Sequence, residues 1–175
     1  PFRILIHQGV KSIMTAHLYI PALDKAANMA ASISRPIVTD LLQKELNFNG
    51  LVITDALNME GVAAFNEPGY TELKALLAGN DILLFPGNIP KAVDLIKDAI
   101  REGKFTQAEL DAKVRKILQA KYWVGLHNWQ PIPTENLYSD LNTPYVEALQ
   151  QKLMDHAVTL VTNRESLVPL ATADD

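Results

Sequence analysis

Two side chains in this sequence sit where alternating strands and helices would place reactive groups. Asp55 follows the apolar run Leu51-Val52-Ile53-Thr54, and His17 follows the run from Val10 to Ala16. A group at the carboxyl end of a buried parallel strand points into the bowl above the sheet, partly desolvated and close to whatever binds there. Asp55 in that place is either a catalytic carboxylate or a cap that accepts N–H bonds from the following segment, and position alone favours neither. His17 reads as pocket lining or as an anchor for the loop after it. Met59, four residues beyond Asp55, lines the same pocket or packs beneath it.

Other polar and aromatic positions carry less. Asp81 precedes its apolar run rather than following it, at the strand end away from where α/β folds put their chemistry. His7 and His156 fall on expected helices and are structural or solvent-facing. Trp123 and Trp129 fit packing at a domain boundary better than stacking on a ligand. Histidines and carboxylates do not recur at metal-ligand spacing and no glycine-rich phosphate loop stands out, so neither a metal site nor a cofactor is expected.

The elements that would position these groups follow from periodicity. Val10–Ala16, Leu51–Thr54 and Asp81–Phe85 are nearly continuous apolar runs, as strands buried on both faces should be. More than a dozen residues separate them, enough for parallel crossover helices. A helix ends at Gln8 with Gly9 behind it. Ser34 and Pro36 open a second helix, which carries Ile37, Leu41, Leu42 and Leu46. Shorter helices are expected after Asn58 and over Tyr70–Ala78, and an amphipathic one over Pro90–Glu102. Thr106 and Glu109 form a capping box for a helix running to about Trp123, with Leu110, Val114, Ile117 and Leu118 on one face. Residues 128–142, with Pro131 and Pro133, read as a linker. Thr143–Ala157 is then helical and Val158–Thr162 is a fourth candidate strand.

Composition removes several function classes. Of 175 residues, 48% are hydrophobic and 21% charged, which is ordinary for a folded domain. The formal charge of −4 is spread without a basic stripe, so nucleic acid is a poor partner. No apolar run nears the ~20 residues of a membrane span. Cysteine is absent, which removes thiol chemistry and leaves the compartment open, whether cytoplasmic, periplasmic or secreted. The opening residues read as the end of a helix, so the chain is expected to be a piece of a longer polypeptide.

The run Glu45-Leu-Asn-Phe-Asn-Gly-Leu-Val-Ile-Thr-Asp-Ala-Leu-Asn-Met-Glu-Gly-Val62 closely resembles the nucleophile segment of family-3 glycoside hydrolases. The resemblance continues upstream in Gly9–Asp24 and downstream in Ala78–Asn88. The run Phe105–Leu126 is similar to the helix closing that family's barrel domain, and Ala157–Leu170 to the start of its second domain. Ala56-Leu57-Asn58-Met59 after the aspartate is more similar to the β-N-acetylhexosaminidase branch than to β-glucosidases, where tryptophan often follows.

That resemblance implies an α/β fold, about the last three βα units of a (β/α)8 TIM barrel with extra C-terminal helices. Its expected domains are a barrel portion over 1–127, a linker over 128–142, and over 143–175 a helix and strand leading into a second domain. The implied activity is a retaining exo-glycosidase acting on terminal β-N-acetylhexosaminides, with β-glucosidase as the alternative within the family. Asp55 would be the nucleophile, with His17 and Met59 lining the sugar site. The branch's acid/base histidine lies in an Asp-x-His motif upstream of the segment present here. None of His7, His17, His127 and His156 stands in such a motif, so this segment alone is expected to be inactive. The implied partners are a carbohydrate and the rest of the parent chain, and open strand edges invite self-association. Two readings of another class are weaker. A receiver-like phosphoacceptor domain needs an acidic pair after an early strand and a lysine after a late one, but those runs end in Thr15-Ala16-His17 and Pro86-Gly87-Asn88. The other is a non-catalytic structural fragment.

Overall fold

The computed structural model describes residues 1–166 and 168. It divides into a unit spanning Pro1–Asn128 and a second that begins at Trp129. The first unit carries every candidate residue. Helix α1 (Phe2–His7) leads into strand β1 (Ser12–Thr15), and a helix over Pro36–Glu45 leads into strand β2 (Leu51–Thr54). After β2 come α2 (Glu60–Ala63), α3 (Tyr70–Ala78), α4 (Ile89–Arg101) and α5 (Gln107–Trp123).

β1 and β2 pair in parallel with Ser12 opposite Leu51 and Thr15 opposite Thr54. His17 and Asp55 therefore leave the pair at the same end, because each follows the last paired residue of its strand by one or two positions. Gly50 sets how β2 begins. A Cβ there would clash with the Lys11 carbonyl oxygen and come within 2.6 Å of the Phe48 ring. Only glycine lets the two chains approach this closely.

The expected third strand is not a full strand. Asp81–Phe85 meets β2 through a single parallel bridge, Ile53 to Ile82. Beyond it the ladder is replaced. Leu84 N–H donates to the Thr54 hydroxyl at 2.9 Å, and the Leu84 carbonyl accepts from Leu57 N–H at 2.9 Å. Phe85 then turns to a positive φ of 43°. The segment peels off β2 to tie down the loop that carries Asp55.

Helices cover this pair with three apolar clusters. Val38, Leu42, Phe48, Val52 and Ala78 pack together under the Pro36–Glu45 helix. That helix is wound with π rather than α bonds, as in the Leu46 N–H to Leu41 carbonyl bond. Ala30, Ile33, Leu57, Val62 and Ala75 form a second cluster, and Leu76, Ala99 and Phe105 a third that seats α4 on α3. The Thr106–Glu109 capping box forms as expected, with Glu109 N–H on the Thr106 hydroxyl at 3.1 Å and Thr106 N–H on the Glu109 carboxylate at 2.7 Å. Of the apolar face expected on α5, Leu110 packs against the third cluster, whereas Val114 and Leu118 stay exposed.

In the second unit, α7 (Pro144–Ala157) starts where expected, capped by the Thr143 hydroxyl. The short helix α6 (Leu137–Leu141) lies inside the expected linker. The fourth expected strand is absent. Val158–Thr162 has no regular structure, and Val158 and Val161 are almost fully exposed. An isolated apolar run with no strand to pair with has nothing to satisfy its backbone but water. The expected resemblance at 157–170 falls partly outside the described residues.

Candidate active site

Asp55 is held by its backbone and left open at its carboxylate. Its N–H donates to the Thr15 carbonyl at 2.9 Å, which continues the β1–β2 pairing one step past the strand ends. Two residues on, Leu57 is fully buried against Ile33, Val62 and Ala75. Burying one leucine side chain contributes roughly 1.5–3 kcal/mol, enough to keep so short a loop from fraying. Between these anchors the Asp55 Oδ1 accepts one N–H bond, from its neighbour Ala56 at 2.8 Å. Among the described residues Oδ2 has no hydrogen-bond partner. The side chain is half-buried and does not cap a helix, since the next helix starts at Glu60 with Met59 at its cap position.

His17 sits beside this loop with both ring nitrogens engaged. Nε2 bonds the Ala56 carbonyl at 2.8 Å and Nδ1 bonds the Ser32 hydroxyl at 2.6 Å. A carbonyl only accepts, so Nε2 carries the hydrogen and donates it. His17 thus reaches the Asp55 loop, but by gripping it. Met59 is 47% exposed on the same loop, and its N–H donates to the Ala56 carbonyl at 3.1 Å, the acceptor His17 also bonds.

Sequence reasoning did not find the polar residues beneath this site. Ser32 and Asn80 are fully buried. Asn80 Nδ2 donates to the Ser32 carbonyl at 2.7 Å and to the Ala75 carbonyl at 2.7 Å, while its Oδ1 accepts from the Thr15 hydroxyl at 2.9 Å. Glu72 is also buried. Its carboxylate accepts from Gly69 N–H at 2.7 Å, Gly87 N–H at 2.5 Å and Asn88 N–H at 3.3 Å. It therefore pins the turn after Phe85, at the same end of the molecule as Asp55. An acidic residue three positions after the turn glycine Gly69 was the available signal, since that spacing reaches back to orphan N–H groups. Asp81 lies at the opposite end of β2, buried between Val52 N–H and two lysines. Among the described residues, no three histidines and carboxylates gather closely enough to hold a metal ion.

Residues 1–120 match the family described as "Glycosyl hydrolase family 3 N terminal domain". The chain belongs to glycosyl hydrolase family 3. This family 3 chain is 28% identical to a "Beta-N-acetylglucosaminidase/beta-glucosidase" of Cellulomonas fimi, over 97% of its own length and 31% of that protein's. It is 31% identical to a "Beta-hexosaminidase A" of Pseudoalteromonas piscicida, over 90% of this chain and 29% of that one. The solved family 3 β-N-acetylglucosaminidase of Paenibacillus sp. str. FPU-7 superposes with a TM-score of 0.79 at 27% identity. That superposition covers 92% of this chain and 31% of the Paenibacillus one. The chain thus spans about a third of the length of these relatives. Its first unit is α/β in the TIM-barrel-like manner of the family 3 N-terminal domain. No helix among the described residues is long and apolar enough to cross a membrane.

Proposed function

We propose that this chain is the nucleophile-bearing part of a retaining exo-glycosidase that hydrolyses terminal β-N-acetylhexosaminides. It would contribute about the last three βα units of a (β/α)8 barrel, with the chain beyond residue 142 leading into a further domain. The open Asp55 carboxylate at the end of β2 is the observation that carries this reading. In a retaining mechanism Oδ2 of Asp55 attacks the anomeric carbon as the bond to the leaving oxygen breaks, and an acid elsewhere supplies that oxygen's proton. Water, deprotonated by the same group, then hydrolyses the glycosyl ester. Two relatives whose names include N-acetylglucosaminidase or hexosaminidase support the substrate class. The Cellulomonas fimi name also includes β-glucosidase, which keeps glucosides as the second reading.

The acid/base group is assigned to residues outside this chain. The proposed partners are the carbohydrate and the remainder of the parent polypeptide. The outer side of β1 suits that remainder, since Phe2, Ile13, Met14, Leu18 and Leu41 line an apolar groove of about 330 Å³ there. The same open edge would let two copies of the isolated chain associate. The test is turnover of a chromogenic N-acetylglucosaminide. The complete polypeptide should hydrolyse it, its Asp55→Asn variant should lose a factor on the order of 10⁴ in kcat, and the 175-residue chain alone should be inactive. Full turnover by Asp55→Asn would remove the nucleophile assignment. Activity in the isolated chain would place an acid/base among its own residues.

A further inference from the structure

We propose that His17 is a positioning residue for the nucleophile, acting through the backbone of Ala56 rather than through contact with the sugar. The inference rests on the assignment of Asp55 as nucleophile and adds how its carboxylate is aimed. The N–H of Ala56, in the peptide it shares with Asp55, bonds Oδ1, and its carbonyl, in the following peptide, bonds His17, at 2.8 Å in each case, with Met59 N–H on the same carbonyl at 3.1 Å. The two peptides pivot about the Ala56 Cα, so a loop movement that takes the carbonyl off the imidazole also turns the N–H on Oδ1. The ring is therefore the side-chain counterweight to the Ala56 N–H bond on the Asp55 carboxylate.

The imidazole is itself fixed from below. Nε2 must donate to the Ala56 carbonyl, which leaves Nδ1 to accept the Ser32 hydroxyl hydrogen in the neutral ring. Ser32 is fully buried. Its N–H donates to the Ala16 carbonyl at 3.1 Å and its carbonyl accepts from Asn80. Asn80 in turn takes the Thr15 hydroxyl. This chain of bonds runs from the end of β1 through the buried interior to the loop after β2. It ties together segments that are 15, 39 and 48 residues apart in sequence. With both nitrogens committed inside the protein, His17 has no ring N–H left for a sugar hydroxyl. Its effect should therefore fall on the chemical step, where a misplacement of about 1 Å is worth up to 10²-fold in rate.

Three variants of the complete polypeptide test this, with chromogenic N-acetylglucosaminide as substrate, Asp55→Asn as reference and thermal melting as the check on folding. His17→Gln places an amide N–H near the position of Nε2, so it should still hold Ala56 and keep kcat within about threefold of wild type. His17→Asn is one carbon shorter. It reaches Ser32 but not Ala56, and should lose roughly 10- to 100-fold in kcat with KM within about twofold. Ser32→Ala keeps the ring but frees Nδ1, and should lose kcat by about three- to tenfold at unchanged KM. A raised KM at unchanged kcat in His17→Asn would overturn the proposal in favour of a sugar contact. So would equal losses in the Gln and Asn variants. If His17→Asn fails to fold, Ser32→Ala decides, and an unchanged kcat there overturns the proposal. Turnover surviving in Asp55→Asn would defeat the functional reading itself. An inactive Asp55→Asn beside a fully active His17→Asn would defeat only this inference.

Discussion

Two aspartates bracket the short parallel pair, and their surroundings differ in almost every respect. Asp55 follows β2 and offers one carboxylate oxygen without a hydrogen-bond partner among the described residues. Asp81 lies beside the other end of β2, buried, with two hydrogen bonds on Oδ2 and a second ammonium facing Oδ1. Val52 N–H bonds it at 2.9 Å, Lys116 at 2.7 Å, and Lys113 stands at 3.7 Å. A carboxylate buried between two cations and a backbone N–H locks three segments together and is closed to a substrate. One that is rigidly mounted but unsaturated can be a nucleophile. The chain uses the same residue type for both, and the difference lies in how many donors converge on it.

The sharpest way to break this contrast is to remove each charge in turn and measure stability rather than activity. Asp81→Asn leaves two lysines facing a neutral amide in a largely buried site and should cost about 3–5 kcal/mol in urea-induced unfolding. Asp55→Asn removes a charge with one local N–H bond and should change stability by less than about 1 kcal/mol. Comparable losses in both variants would mean that Asp55 too is a structural residue.

Glu72 falls between these extremes. Its carboxylate is buried like that of Asp81, yet backbone N–H groups rather than cations hold it, and it supports the end of the molecule where Asp55 lies. Glu72→Gln turns one acceptor oxygen into an NH2 group that faces N–H donors. It should cost about 2 kcal/mol, and amide exchange should quicken at Gly87 and Asn88 before it does in β2. Unchanged exchange at those two amides would show that the turn stands without Glu72.

How much of this was legible in the sequence follows from the range of each interaction. The β2 run, the capping box at Thr106 and the glycine behind α1 are local patterns, and each appears where spacing placed it. The position of Asp55 at a strand end is equally local. The Ser32–Asn80–Thr15 network is not, because its bonds span 48 and 65 residues and no periodicity records them. Asp81–Phe85 and Val158–Thr162 mark a second boundary. Both are apolar enough to be strands, but a strand also needs a neighbour's N–H and C=O groups. The first spends its bonds on Thr54 and Leu57, and the second pairs with no strand among the described residues.

The smallest effect belongs to the lysines at Asp81, and its sign depends on pH. Lys116 makes the short ion pair, whereas Lys113 stands farther off and donates to the Gly79 carbonyl at 3.0 Å. Burial holds the Lys113 ammonium below its ordinary value. Asp81 opposes that shift and the neighbouring Lys116 charge adds to it. A lysine whose folded pKa is lowered binds its proton less readily when folded than when unfolded. Between that lowered pKa and the ordinary 10.5, the unfolded chain therefore holds more protons, and stability rises with pH. Below that window the folded protein carries the full cost of the buried charge. Lys113→Met removes the cost together with one hydrogen bond, so at neutral pH it should leave stability within about 1 kcal/mol of wild type. As pH is raised toward about 10, wild type should gain on the variant, because the penalty that methionine removes is by then removed by deprotonation. Urea unfolding of both proteins at the two pH values measures that difference of differences. A variant that gained on wild type instead would mean that Lys113, like Lys116, is held as a charge by Asp81, and that two cations rather than one complete the lock at that end of β2.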